Sequence, residues 1–426
     1  MRIALVASQS SSPRPRDGAG HSQRVTSLAE ALGRLGHQVT LYAPNGSSAH
    51  PAKATLAPGV TVEHLPGGPR KSAGDEPALD IPVFSDHLAR RWRQEPPDVA
   101  HAHFWTSGLA AQAGARGLNL PVVQTFQSLG SPDADGSHRP ADVSRPARGS
   151  RAARRAGRQQ DTGHHLAQMR LQVCLARNAN AVLATSSEQM ADLARLGVPR
   201  ASIRVVPWGV DTGRFAPEGP VAKRNGHPRL LAVRLSADEP GLDSVMRALA
   251  EIPAAELLIA GGPSGSGPAN QDLAGLARDL GVANRITFTG DVSRTHLPAL
   301  LRSADLLLSG EWEDPSGTVA LQAMACGTPV AASVGGAVGD AVIDGTTGFL
   351  VPSGQPWALA RRIRHLFASP MQLDAFSIAA VDRARSRYSW DRIGRETIQA
   401  YERCMPHQFS AIDEPETEDA DSSPEG

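Results

Sequence analysis

The sequence predicts an α/β protein made of two doubly wound parallel-sheet domains, and three observations predict it. Short apolar runs alternate with amphipathic stretches almost throughout, the pattern of buried parallel strands covered by helices. The runs fall into two sets, one before Pro207 and one from Leu230 onward. Between them lies Pro207-Trp208-Gly209-Val210-Asp211-Thr212-Gly213-Arg214-Phe215-Ala216-Pro217, with the Pro and Gly content of a linker.

The first set opens with a strand at residues 2–7. A Gly-rich loop, Asp17-Gly18-Ala19-Gly20, leads into a helix near 22–35 that ends at Gly36, and a second strand follows at 38–43. Further strands are expected at Val99 to His103, Val122 to Phe126, Ala181 to Ala184 and Ile203 to Val206. The second set runs through Leu230 to Val233, Leu257 to Ala260, Ile286 to Thr289, Leu306 to Ser309, Val330 to Ala332 and Phe349 to Val351. A closing helix is expected near Ser389 to Cys404.

Composition bounds the function. A chain of 426 residues, 41% of them apolar, fills two cores. Lys+Arg and Asp+Glu both number 43, so charge gives no argument for a nucleic-acid partner. Cys174, Cys326 and Cys404 are far apart and lack metal-ligand spacing, which reads as reduced thiols in a cytoplasmic protein. No run of 18 apolar residues exists to span a membrane, and Met1 to Ala7 reads as a strand rather than a leader. Seven arginines crowd Arg139 to Arg158 within a basic insertion, 132–162, expected to be a mobile loop. The insertion is either a solvated loop or a peripheral contact for acidic lipid headgroups or phosphorylated acceptors. The tail, 409–426, is acidic and is expected to be disordered.

The most informative segment is Asp314-Pro315-Ser316-Gly317-Thr318-Val319-Ala320-Leu321-Gln322-Ala323-Met324-Ala325-Cys326-Gly327-Thr328-Pro329-Val330. It resembles the donor-site signature of the retaining family 4 (group 1) glycosyltransferases, Glu-Pro-Phe-Gly-x-x-x-x-Glu-Ala-Met-Ala-Cys-Gly-Thr-Pro-Val. The linker is similar to that family's Pro-Asn-Gly-Val-Asp…Phe-x-Pro hinge, with Trp208 in place of Asn. The resemblance implies a GT-B fold, two Rossmann-like domains facing a cleft. Residues 1–207 would form the acceptor side and 208–388 the nucleotide-sugar domain, with 389–408 crossing back.

It also implies roles, residue by residue. Gly317, Thr318 and Val319 would turn backbone N–H groups to the donor diphosphate, since a helix N-terminus favours an anion. Gly18 and Gly20 would shape the first-domain loop that approaches donor and acceptor. Arg234, in Ala232-Val233-Arg234-Leu235, matches the arginine of Gly-Arg-Leu that binds the diphosphate. Asp314 would orient the donor sugar, and Gln322 would meet the nucleotide ribose. His103 and Gln127 would stand on the acceptor side.

Four charged or titratable positions of the family pattern are changed. Pro240 replaces a lysine, and the chain's only lysines are 53, 71 and 223. Asp314 is one methylene shorter than Glu. Gln322 replaces a carboxylate with an amide, a weaker acceptor. Gln127 replaces a histidine and cannot shuttle a proton near neutral pH.

Other pairs carry less. His101-Ala102-His103 would supply two metal ligands with no third, and Asp133-Ala134-Asp135 and Asp419-Ala420-Asp421 lie in low-structure segments. No metal site is expected, and no cofactor beyond the nucleoside-diphosphate sugar that serves as donor. Two functions fit the residues. One is transfer of a sugar to a small-molecule, lipid or glycan acceptor with retention of configuration. The other is a catalytically impaired relative acting as a sugar- or nucleotide-binding module or scaffold.

Overall fold

The computed structural model describes residues 1–8, 20–45, 51–67, 79–127, 129, 166–234, 241–262, 268–309 and 316–405. The basic insertion, the acidic tail, Gly18, Pro240 and Asp314 lie outside these residues. Of Gly20 only the backbone, as the first helical residue, is described.

The first sheet holds β1 (Arg2–Ala7), β2 (Gln38–Pro44), β3 (Lys53–Ala57), β4 (Val60–Leu65), β5 (Val99–His103), β6 (Val122–Thr125), β7 (Ala181–Ala184) and β8 (Ile203–Val205). Their order is β3-β4-β2-β1-β5-β6-β7-β8, and every pair is parallel except β3 with β4. Its helices are α1 (Gly20–Arg34), α2 (Ile81–Gln94), α3 (Trp105–Gly114), α4 (166–178) and α5 (Ser187–Arg195).

The second sheet holds β9 (Arg229–Arg234), β10 (Glu256–Gly261), β11 (Ile286–Gly290), β12 (Leu306–Ser309), β13 (Val330–Ser333) and β14 (Gly348–Val351). The order is β11-β10-β9-β12-β13-β14, all parallel. Around it lie α6 (Leu242–Ala250), α7 (Pro268–Asp279), α8 (Leu297–Ser303), α9 (Thr318–Ala325), α10 (Gly336–Ala341), α11 (Pro356–Phe367) and α12 (Pro370–Tyr388), and α13 (Trp390–Glu402) ends the described chain.

Apart from the edge strands β3 and β11, each sheet is buried on both faces, which explains the unbroken apolar runs in its inner strands. In β1 alternate residues serve two cores. Ile3, Leu5 and Ala7 pack with Leu28 and Leu32 of α1 and Ile393 of α13, whereas Ala4 and Val6 pack with Phe84 and Trp92 of α2 and Ala110 of α3. The second sheet repeats the scheme: Leu231, Leu258 and Leu307 face α9 and α12, while Leu230, Leu257 and Leu306 face α6 and α11.

The β3–β4 hairpin and α2 fill part of 44–90. Strand β3 has one neighbour and exposed or half-buried residues, so it has no apolar run to read. Helix α2 begins at an Asp80 cap, whose carboxylate accepts the Val83 N–H, has Pro82 in its first turn, and buries Phe84, Leu88 and Trp92 at helical spacing.

The chain passes between the sheets twice, at adjacent points. On the way out, Val210 N–H donates to Tyr388 C=O at 2.8 Å. A Cβ on Gly209 would come within 2.6 Å of the Trp390 ring, so only glycine lets the linker lie there. On the way back, α13 packs on α1, and Tyr401 is fully buried in the first core.

Strand order reverses direction between β1 and β5 in the first sheet and between β9 and β12 in the second. Ligands of open parallel sheets bind outside the carboxyl ends of strands at such switch points. The described candidate residues sit at both.

Candidate functional site

At the second switch point, β9 ends in Arg234, a buried guanidinium. Its space is kept by the two glycines that end β10 and follow it. A Cβ on Gly262 would lie 2.9 Å from Arg234 Nη1, and one on Gly261 would lie 2.4 Å from the Arg234 carbonyl oxygen. Both glycines have positive φ, 91° and 82°, so a side chain is excluded by conformation as well as by space. Across the switch point, β12 leads to α9. Gly317 precedes that helix at φ 67° and offers no side chain to cap it. The start of α9 therefore turns its positive end toward the cleft. Gln322 follows Thr318 by one turn and is half-buried.

At the first switch point, β5 ends in His103, and Phe104 follows it at the start of α3. Phe104 is the one non-glycine residue with positive φ among the described residues, at 73°. Such a conformation strains a bulky side chain and is commonest at functional sites. It is held by a hydrogen bond from its N–H to Thr125 C=O and by Gln124 Nε2 donating to its own carbonyl.

His101 is absorbed into structure, with Nδ1 2.7 Å from the Tyr401 hydroxyl and Nε2 2.8 Å from Thr125 Oγ1. His103 is 2% exposed, and neither ring nitrogen has a hydrogen-bond partner. Burial pushes its pKa down to about 3, so the ring is neutral at pH 7. It lies 4.2 Å from the His101 ring and 5.9 Å from Trp208, centroid to centroid. Gln127 Oε1 also lacks a partner. His103, Gln127, Thr125, Phe104, Arg24 and Trp208 line one small cavity of about 10 Å³, room for roughly one water. Buried polar atoms left incomplete in a native fold call for an explanation, and a ligand hydroxyl supplies one.

The two switch points face each other. Arg24 of α1 crosses the cleft and donates from Nη1 to Ser316 Oγ at 2.6 Å and Thr318 Oγ1 at 3.3 Å. Farther along, Ser187 N–H donates to Asp340 Oδ2 at 2.6 Å, and Gly336 N–H donates to Glu188 Oε2. A larger groove of about 410 Å³, lined by α4 and Leu196, lies at the opposite end of α5 from these contacts. It is remote from the switch points and is no part of this site.

Arg234, Gly317, Thr318, Val319 and Gln322 thus share the carboxyl edge of the second sheet, and His103 and Gln127 share the facing edge of the first. Arg247, a conceivable substitute for the lysine missing at 240, is exposed in the last turn of α6, at the far end from the loop it follows. Among the described residues, no group of three or more His, Cys, Asp or Glu is placed to hold a metal. No helix among the described residues is long and apolar enough to cross a membrane.

The family described as Glycosyltransferase Family 4 matches residues 18–214, and that described as Glycosyl transferases group 1 matches residues 219–383. A D-inositol 3-phosphate glycosyltransferase of Mycolicibacterium gilvum is 30% identical, covering 95% of this chain and 90% of its own. The chain belongs to glycosyltransferase family 4. This family 4 chain is also 29% identical to D-inositol 3-phosphate glycosyltransferase 2 of Catenulispora acidiphila, over 95% of each. Among solved structures it resembles sucrose-phosphate synthase of Thermosynechococcus elongatus, with a TM-score of 0.71 and 25% identity over 94% of this chain and 98% of the other. It also resembles Anabaena HepE in complex with UDP and glucose, with a TM-score of 0.65 and 17% identity over 94% and 99%, a likeness of fold. The architecture of this family 4 chain is GT-B.

Four residues at its switch points escaped the sequence: Arg24, Phe104, Thr125 and Trp208. Nothing in the local pattern marks Arg24, one polar position on an amphipathic helix. Trp208 did carry a signal, as a bulky ring where the family hinge has Asn.

Proposed function

We propose that this chain transfers a glycosyl group from a nucleoside-diphosphate sugar to a hydroxyl of its acceptor with retention of configuration. The observation that carries the reading is the meeting of the two switch points, with Arg234 and the start of α9 on one side and His103 and Gln127 on the other. The diphosphate would lie against Arg234 and the first turn of α9, through charge-assisted and backbone hydrogen bonds. Gln322 would accept from the ribose, and Asp314 would orient the sugar.

As the bond from the anomeric carbon to the phosphate oxygen breaks, its electron pair leaves with the diphosphate. The acceptor oxygen bonds the same face of that carbon, and its proton passes to the departing phosphate oxygen. Positive groups preorganised at the phosphate stabilise the charge that develops there. The relatives named for D-inositol 3-phosphate support a phosphorylated polyol as acceptor, entering over His103, Thr125 and Gln127.

The test is a transfer assay with UDP-, GDP- and ADP-sugars and inositol phosphates, reading the product's anomeric configuration by NMR. A retained configuration supports the reading, and an inverted one removes it.

A second reading, a binding module without turnover, is favoured by the neutral amides Gln127 and Gln322 and by Pro240. It predicts saturable nucleotide binding, no transfer, and no activity gained by Pro240→Lys with Gln322→Glu.

A further inference from the structure

We infer that Arg24, seated on Trp208, is the cation that this chain brings to the donor's diphosphate, in the role the family gives to the lysine absent at position 240. The inference rests on the donor-site reading above and deepens it.

The geometry places the charge. Arg24 lies in the second turn of α1, yet its guanidinium reaches Ser316 and Thr318, the residues on either side of Gly317. A guanidinium beside the N-terminus of an α-helix adds its positive charge to the potential which that helix end already presents to an anion. A doubly charged phosphate group suits that position, since a guanidinium binds phosphate through paired N–H groups.

Trp208 fixes the approach. The Arg24 Cζ sits 5.2 Å from the centre of the Trp208 ring. Trp208 meets Trp390 edge-on at 6.5 Å, which anchors the platform to the start of α13. An asparagine at 208, the family's residue, offers no such face. The unusual tryptophan thus has a role, as the face on which Arg24 sits.

An independent observation points to a ligand here. The cavity that Arg24 and Trp208 line also contains His103, 2% exposed with both ring nitrogens unpartnered, and the unpartnered Oε1 of Gln127. A neutral imidazole donates from one nitrogen and accepts at the other, so it suits hydroxyls and leaves the anion to Arg24. Because α1 belongs to the first sheet's domain and α9 to the second's, diphosphate binding would draw on both domains at once.

The test is calorimetry on the full chain with UDP, GDP and ADP and the matching monophosphates, for wild type, Arg24→Gln, Trp208→Asn and Arg24→Gln/Pro240→Lys. For the nucleotide that binds wild type, Arg24→Gln is expected to weaken the diphosphate about tenfold or more and the monophosphate less than about twofold. Adding Pro240→Lys should recover much of the loss. Trp208→Asn should weaken the diphosphate selectively, and it carries the test should Arg24→Gln fail to fold by thermal melting. Unchanged diphosphate affinity in Arg24→Gln, or equal weakening of both nucleotides, overturns the role of Arg24 and leaves the donor site standing. Absence of binding to wild type overturns both together.

Discussion

The carboxyl edge of the second sheet offers a helix start and a buried guanidinium, Arg234, given room by Gly261 and Gly262. The facing edge of the first sheet offers neutral polar groups, His103 and Gln127, whose hydrogen bonds are incomplete. On the proposed reading the second-sheet edge takes an anion, through backbone and a single side chain. On the same reading the other takes hydroxyls, through buried neutral groups. The contrast explains how four departures from the family pattern can coexist with its fold, since what a helix terminus contributes does not change with the side chains around it.

The strongest test of the contrast is Arg234→Gln, which should lower turnover about 10²–10³-fold, as loss of one preorganised donor does. Gly262→Ala should act in the same direction by pushing the guanidinium aside, since its Cβ would lie 2.9 Å from Nη1. Steady-state kinetics with circular dichroism as a folding control reads both. An effect confined to KM would assign Arg234 to ground-state binding alone.

The first-sheet edge should answer to pH instead. His103 has its pKa lowered to about 3 by burial, and His101 is lowered too by burial and by His103. Their unfolded counterparts bind protons near pH 6.5, so the unfolded chain takes up more protons as acid is added. The stability His103 contributes is therefore complete above about pH 6.5 and is lost as pH falls toward 3, by up to about 1.4 kcal/mol per pH unit, and His101 acts in the same direction. Denaturant titrations at pH 7, 6 and 5 should show the decline, and His103→Gln should flatten it.

Tyr401→Phe leaves His101 Nδ1 without its partner in a buried setting and should destabilise by about 1–3 kcal/mol, read as a fall in Tm. Gln322→Glu sharpens the donor edge, and a charge-assisted bond to the ribose should tighten nucleotide binding about fivefold. Calorimetry checks that change. At the small end, Asp391→Asn breaks an ion pair to Arg34 whose side chains are 55% and 58% exposed, and it should shift stability by less than about 1 kcal/mol.

Much of this was legible in the sequence, for physical reasons that also mark its limits. Strands buried on both faces, such as β1, β5 and β9, announce themselves as apolar runs because both neighbours demand it. The start of α9 was legible because Gly317 and the small residues after it serve backbone geometry. The β3–β4 hairpin was not, since an edge strand with partly exposed residues lacks that pressure. Arg24 was illegible because its meaning depends on a contact 292 residues away, to Ser316. His101 and His103 look alike in sequence, and only the structure separates the satisfied ring from the open one.

The most direct measurement is calorimetric titration of UDP, GDP and ADP into the full chain and into Arg234→Gln. Saturable binding of one nucleotide by the wild type, weakened at least tenfold in the variant, is what a donor site at the second switch point predicts. No binding of any of the three, or equal binding by both proteins, would contradict it.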